Sequence, residues 1–81
     1  MRIRIVADGR VLDGAPLDIV RQMQSLSLGK DSIAITEYVD WLVAQAGSLM
    51  EVQMRVEGET AEEKARSLIS EMLRTKLAEV M

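Results

Sequence analysis

The first thirteen residues of this chain can fold in few ways other than as a β-hairpin. Arg2 and Arg4 alternate with Ile3 and Ile5, so residues 2–7 read as a strand with one basic face and one apolar face. The β-branched Ile3, Ile5 and Val6 favour that conformation. Asp8-Gly9 is a two-residue hairpin signal, because both central positions of such a turn need a backbone that these residues tolerate. That turn pairs Ala7 with Arg10, Val6 with Val11 and Ile5 with Leu12. Ile3, Ile5, Ala7 and Leu12 then share a face, and Asp13-Gly14 ends the return strand.

Two helical patterns follow. Pro16 suits a first helical turn, where its missing N–H costs nothing, and Asp18 complements the positive end of the helix dipole. Ile19, Val20, Met23 and Leu26 form an apolar stripe through residues 16–27. The stretch Ser27-Leu28-Gly29-Lys30-Asp31-Ser32 breaks it, with Gly29 able to take a left-handed stop. A second helix is expected to begin between Ser32 and Thr36 and to run to Ala46, on the spacing of Ile35, Val39, Leu42, Val43 and Ala46. Gly47 and Ser48 are its predicted stop. Tyr38 and Trp41, the chain's only aromatic residues, lie three apart on a flanking face of this helix.

The period then switches. Met50, Val52, Met54 and Val56 alternate with Glu51, Gln53, Arg55 and Glu57, which predicts a half-buried strand over 49–57. Thr60 with Glu63 is a capping-box pattern that opens a third helix. Ala61, Ala65, Leu68, Ile69, Met72, Leu73, Leu77 and Val80 extend its apolar face toward the last residue, so a long C-terminal helix over 59–81 is expected. The chain reads as a single α+β domain, residues 1–81, with a small sheet packed against three helices in the order β-β-α-α-β-α.

Zero cysteines mean that no disulfide holds this fold. With 48% apolar residues the chain carries much hydrophobic area for its length, and part of it is expected to close against a second copy. The long third helix is the expected site of self-association, through Leu73, Leu77 and Val80; Tyr38 and Trp41 read as core residues or as further interface anchors. Met23, Met50, Met54, Met72 and Met81 fill the core or add adaptable apolar surface.

Composition argues against most chemistry. There is no histidine to activate a serine or threonine, and a structural zinc site has neither cysteine nor histidine to use. Three carboxylate pairs stand close in sequence: Asp8 with Asp13, Glu37 with Asp40, and Glu57 with Glu59. Each reads as turn, cap or solvated surface rather than as an acid–base pair, which must converge in a cleft. No catalytic, metal or cofactor site is expected. No run approaches the ~20 apolar residues needed to cross a bilayer. The start meets Asp8 too soon for a signal-peptide core, so the cytoplasm is the expected location.

The net charge is −3, and both halves of the chain are slightly acidic, so a nucleic-acid surface would need local basic geometry. The order of strand, helix and helix over the first 46 residues resembles that of ribbon-helix-helix regulators. The resemblance is one of order, without a specific motif. It implies that Arg2 and Arg4 point at bases from a two-fold ribbon of N-terminal strands. The Asp8-Gly9 turn, the extra segment from Arg10 to Gly14 and the acidic balance depart from that pattern. The favoured reading is a homo-oligomeric module that binds another protein without catalysis. Nucleic-acid binding is the alternative.

Overall fold

Both ends of the chain enter one sheet. The computed structural model describes residues 1–27 and 29–81; Leu28, within the predicted break after the first helix, lies outside the described residues. Strand β1 (Arg2–Ile5) is central, flanked by β2 (Val11–Asp13) on one side and β3 (Ala78–Val80) on the other, both antiparallel. Ile3 faces Leu12 on β2 and Val80 on β3, while Arg4 faces Val11 and Glu79. Three helices cover one face of the sheet: α1 (Pro16–Ser25), α2 (Ile35–Leu49) and α3 (Ala61–Arg74). The small α+β class holds, with its hairpin, third strand and three helices, but the third strand follows the last helix instead of preceding it.

The hairpin register differs from the expected one by two residues. The Ile5 N–H donates to the Arg10 carbonyl at 2.8 Å, and the Gly9 N–H donates to the Ile5 carbonyl at 2.8 Å. Val6, Ala7, Asp8 and Gly9 therefore all belong to the turn. Its cause is local: Asp8 Oδ1 accepts the Arg10 N–H at 3.0 Å, a side-chain turn that closes one residue later than a tight hairpin would. A shift of two keeps every side chain on its face. Ile3 and Leu12 are buried as expected, while Ala7 is exposed at the turn.

In α1, Asp18 reaches back to the Ala15 N–H at 3.2 Å, and Pro16 occupies the first turn. Gln24 is buried on this helix, and its amide donates to the carbonyls of Lys30 and Ile33, each at 2.7 Å. One side chain thus ties the α1–α2 connection to the core. Helix α2 does not stop at Gly47. A helical glycine costs only about 1 kcal/mol relative to alanine, and Ala46 is buried while its carbonyl accepts the Met50 N–H at 3.1 Å. The helix ends at Leu49, where Glu51 takes a left-handed backbone with φ of 54°.

Residues 52–57 run without regular secondary structure and pair with no strand. Val52, Met54 and Val56 turn inward, and Glu51, Gln53, Arg55 and Glu57 turn outward. From Val52 to Glu57 the alternation is as predicted, while Met50, expected on the inner face, is exposed at the end of α2; the partner of the segment is a helix. The Arg55 N–H donates to Glu71 Oε1 at 2.7 Å and the Glu57 N–H to Ser67 Oγ at 2.9 Å. The Gln53 carbonyl accepts from Arg74 Nη2 at 3.0 Å. Side chains of α3 replace the backbone groups a neighbouring strand would offer, because a buried polar backbone must find a partner somewhere.

Helix α3 opens with the predicted box: Thr60 Oγ1 accepts the Glu63 N–H at 3.1 Å, and Glu63 Oε1 accepts the Thr60 N–H at 3.2 Å. It ends earlier than predicted, at Arg74. Lys76 takes φ of 64°, the Leu77 N–H donates to Met72 O at 2.9 Å, and the Lys76 N–H donates to Leu73 O at 3.3 Å. This left-handed reversal, built without glycine, sends Ala78–Val80 back along β1. The core joins Ile3, Ile19, Val20, Tyr38, Val39 and Leu68, all fully buried. The accessible surface is 5057 Å², close to the ~4,850 Å² usual for a 9.0 kDa monomer. The high apolar share is therefore housed in an ordinary monomer-sized surface, and only the placement of exposed apolar residues bears on association.

Candidate functional site

Among the described residues lies a strongly apolar cleft of about 220 Å³. Its floor is made by Leu42 and Ala46 of α2 and by Leu68 and Met72 of α3. Ile5 and Ala7 of the hairpin and Leu77, just before β3, close one side. Met23, Met50 and Met54 complete the wall with Leu49, and Gln45 is its single polar side chain. The cleft exists because α2 outlasts Ala46 and because 51–57 runs along α3 rather than across the helix ends. Four methionines line it, unbranched and able to repack around an occupant.

The rim is also apolar. Leu49 is 75% exposed and Met50 50%, the former the most exposed large apolar residue described. Two non-glycine residues with positive φ neighbour this lining in sequence: Glu51 directly follows Met50 and Lys76 directly precedes Leu77, and both are exposed.

The five expected interface residues are divided. Leu77 lines the cleft. Leu73 is half-buried against the core. Val80 is 65% exposed on β3, opposite Ile3, and is not part of a helix. Tyr38 is buried, 1% exposed, with its hydroxyl 2.8 Å from Ser27 Oγ. Burial pushes its phenol above the ordinary value of 10, and the Ser27 hydrogen bond pulls weakly the other way. Trp41 stacks on Tyr38, ring centroids 5.8 Å apart, and Lys30 Nζ lies 4.8 Å from the centre of its ring. This pair pins the loop after α1 to α2 and is separate from the cleft lining. Leu49 carries no signal in the sequence, because Gly47-Ser48 reads as a stop, and Met50, one of the adaptable apolar residues, reads as part of a strand.

Arg2 and Arg4 lie on the open face of the sheet, opposite the helices. Arg2 Nε is 3.6 Å from Asp13 Oδ2, and Arg4 bonds to Glu79 on β3. As the middle strand, β1 has no free edge, so two copies cannot pair their N-terminal strands into the ribbon that the ribbon-helix-helix order implies. The outer edges are guarded. On β2, the Asp13 carbonyl accepts Gln22 Nε2 at 2.8 Å. On β3 the strand is only three residues long and carries Glu79, features that discourage edge-to-edge pairing.

In each of the three carboxylate pairs at least one member is held by a cation. Asp8 pairs with Arg10 at 3.3 Å, Glu57 with Arg55 at 3.1 Å and Asp40 with Lys64 at 2.9 Å. Glu71 receives Arg74 at 2.8 Å and the Arg55 N–H, and these donors, Arg74 foremost, hold its carboxyl down at about 2. Glu63 is likewise lowered, mainly by its hydrogen bonds with Thr60. Among the described residues, no group of three or more acidic side chains could hold a metal ion, and no helix is long and apolar enough to cross a membrane.

Set against known proteins, the chain matches no family, no curated protein and no solved structure.

Proposed function

We propose that this protein is a non-enzymatic interaction module of the cytoplasm that works as a homo-oligomer and presents an adaptor, regulatory or structural surface to another protein. The observation that carries the proposal is the methionine-lined cleft with Leu49 and Met50 exposed at its rim. Exposed apolar residues are ordinary when scattered singly. Here two of them border a nearly wholly apolar concavity, which is the anatomy of a binding surface. The cleft offers no set of converging polar groups to orient a substrate, and a shape read through apolar packing suits a protein partner. The alternative of nucleic-acid binding draws less support, since Arg2 and Arg4 are each paired with a carboxylate on the sheet face.

Mass in solution, measured by light scattering across a concentration series, tests the proposal. A dimer or larger species that dissociates on dilution is the expected result. A monomer at every concentration would remove self-association from the reading.

A further inference from the structure

We infer that residues 52–57 form a strap that opens as one unit while the helices and the sheet stay folded, and that this opening removes one wall of the apolar cleft. The inference goes beyond self-association and does not depend on it.

The bonding of the strap sets it apart. Among the described residues, its one bond from main chain to main chain is the Val52 N–H given to the Ala46 carbonyl at 3.0 Å. Its other backbone partners are side chains of α3. Ser67 Oγ accepts the Glu57 N–H, Glu71 Oε1 accepts the Arg55 N–H, and Arg74 Nη2 donates to the Gln53 carbonyl. Ser67, Glu71 and Arg74 follow the i, i+4, i+7 spacing of a single helix stripe. A helix advances about 6 Å over four residues and an extended chain about 6.6 Å over two, so the stripe meets every second residue of the strap. It takes the place of a neighbouring strand and runs antiparallel to the segment it holds.

The grips are linked to one another. Glu71 holds Arg74 through Nε at 2.8 Å and Nη2 at 3.1 Å, so losing Glu71 loosens two strap residues together. On the inner side only Met54 is buried, with Val52 and Val56 half-buried. On the outer side Arg55 and Glu57 pair with each other at 3.1 Å, a contact that travels with the strap. Few buried apolar groups and exposed backbone bonds mark a region that opens well below the free energy of the whole fold. Positive φ at Glu51 (54°) and Gly58 (130°) brackets the segment, so the chain already turns at both of its ends. Met54 shares the cleft lining with Leu68 and Met72, and its departure bares both.

Thiol labelling tests this cleanly, because the chain has no cysteine. Met54→Cys places a thiol on the strap. Val39→Cys places one at a position 0% exposed on α2, as a reporter of global unfolding. With an aromatic disulfide reagent, and relative to the unfolded chain, position 54 should label at least about tenfold faster than position 39. It should also respond less to urea, since less surface is exposed on opening. Hydrogen exchange of the unsubstituted chain is the second measurement, and it should give the Arg55 and Glu57 amides one common opening free energy, below that of the core. Ser67→Ala touches only the Glu57 amide, yet it should lower the protection of Arg55 about threefold or more as well. Equal labelling at positions 54 and 39, with the same urea dependence, would mean that the strap leaves only when the whole fold does. An effect of Ser67→Ala confined to Glu57 would mean that the segment frays residue by residue. Either result would overturn the inference.

Discussion

The backbone N–H of Arg55 donates to Oε1 of Glu71 across 2.7 Å, from an extended segment to a helix. Glu71 also binds the Arg74 guanidinium, whose Nη2 reaches on to the Gln53 carbonyl at 3.0 Å. One carboxylate and one guanidinium on α3 therefore supply both a hydrogen-bond acceptor and a donor to the segment that a sheet would otherwise have to satisfy.

Acid should release that segment first. The Glu71 carboxyl sits at about 2, against an ordinary 4.5. A carboxyl lowered by folding contributes stability above its unfolded value, and this is lost as pH falls through the folded one. Stability from Glu71 is thus complete above about 4.5 and disappears toward 2. Protection of the Arg55 amide against hydrogen exchange, taken relative to its intrinsic rate at each pH, should fall across that window. In Glu71→Ala the same amide should already be poorly protected at neutral pH and lose little further protection on acidification.

Gly58 is a second control point for the same segment. Its φ is 130°, and a Cβ there would lie 2.6 Å from Glu63 Cβ and 3.0 Å from the Lys64 nitrogen. Gly58→Ala must push the chain off the first turn of α3. A loss of about 2 kcal/mol or more is expected in urea unfolding. Thr60→Ala, which removes only the cap, should cost about 1 kcal/mol.

Tyr38 is the sole tyrosine, so its titration can be followed by ultraviolet absorbance without interference. Burial raises its pKa above 10. A raised value means that its stabilising effect is whole below 10 and fades as pH climbs through the folded value. Phenolate absorbance should therefore appear late and together with unfolding in the folded protein, and near pH 10 in denaturant. Tyr38→Phe leaves the ring packing and removes the bond to Ser27, for an expected cost of about 1 kcal/mol by chemical denaturation.

Lys76→Gly should stabilise the isolated subunit. The left-handed backbone costs a residue with a Cβ about 1 kcal/mol that glycine does not pay. A rise of about 0.5–1 kcal/mol is expected in denaturation under conditions where the chain is monomeric.

Much of the architecture was legible in residue order. Ile3, Ile5 and Leu12 marked the inner face of the hairpin, and Thr60 with Glu63 marked the start of α3 to the residue. The errors share one cause. Period two reports an extended chain with one side buried, and residues 51–57 meet that description while lying on a helix. Leu77 and Val80 continued the helical spacing of Leu73, and no glycine or proline announced the reversal at Lys76. Only the β-branched Thr75, whose hydroxyl turns back to the Glu71 carbonyl at 2.7 Å, hints at an end there. The cleft was invisible for the same reason, since it is formed by the ends of elements, which pattern fixes least. Of its lining, Leu77 reads as an interface residue and Met23, Met50, Met54 and Met72 as adaptable apolar residues, while Leu49 carries no signal.

The shared central strand has a consequence for the order of events in folding. Residues of β1 and β2 are near neighbours in sequence, and a hairpin of this kind forms within about 1–10 μs. Arg4 and Glu79 are separated by 75 positions, so β1 meets β3 only after a loop of nearly the whole chain has closed. That contact is the least local in the molecule and belongs on the native side of the folding barrier. Damage at Ala78 should then be read in the unfolding rate, and damage at Leu12 in the folding rate. The last strand would act as a kinetic latch: it adds little to how fast the fold is reached and much to how long it lasts.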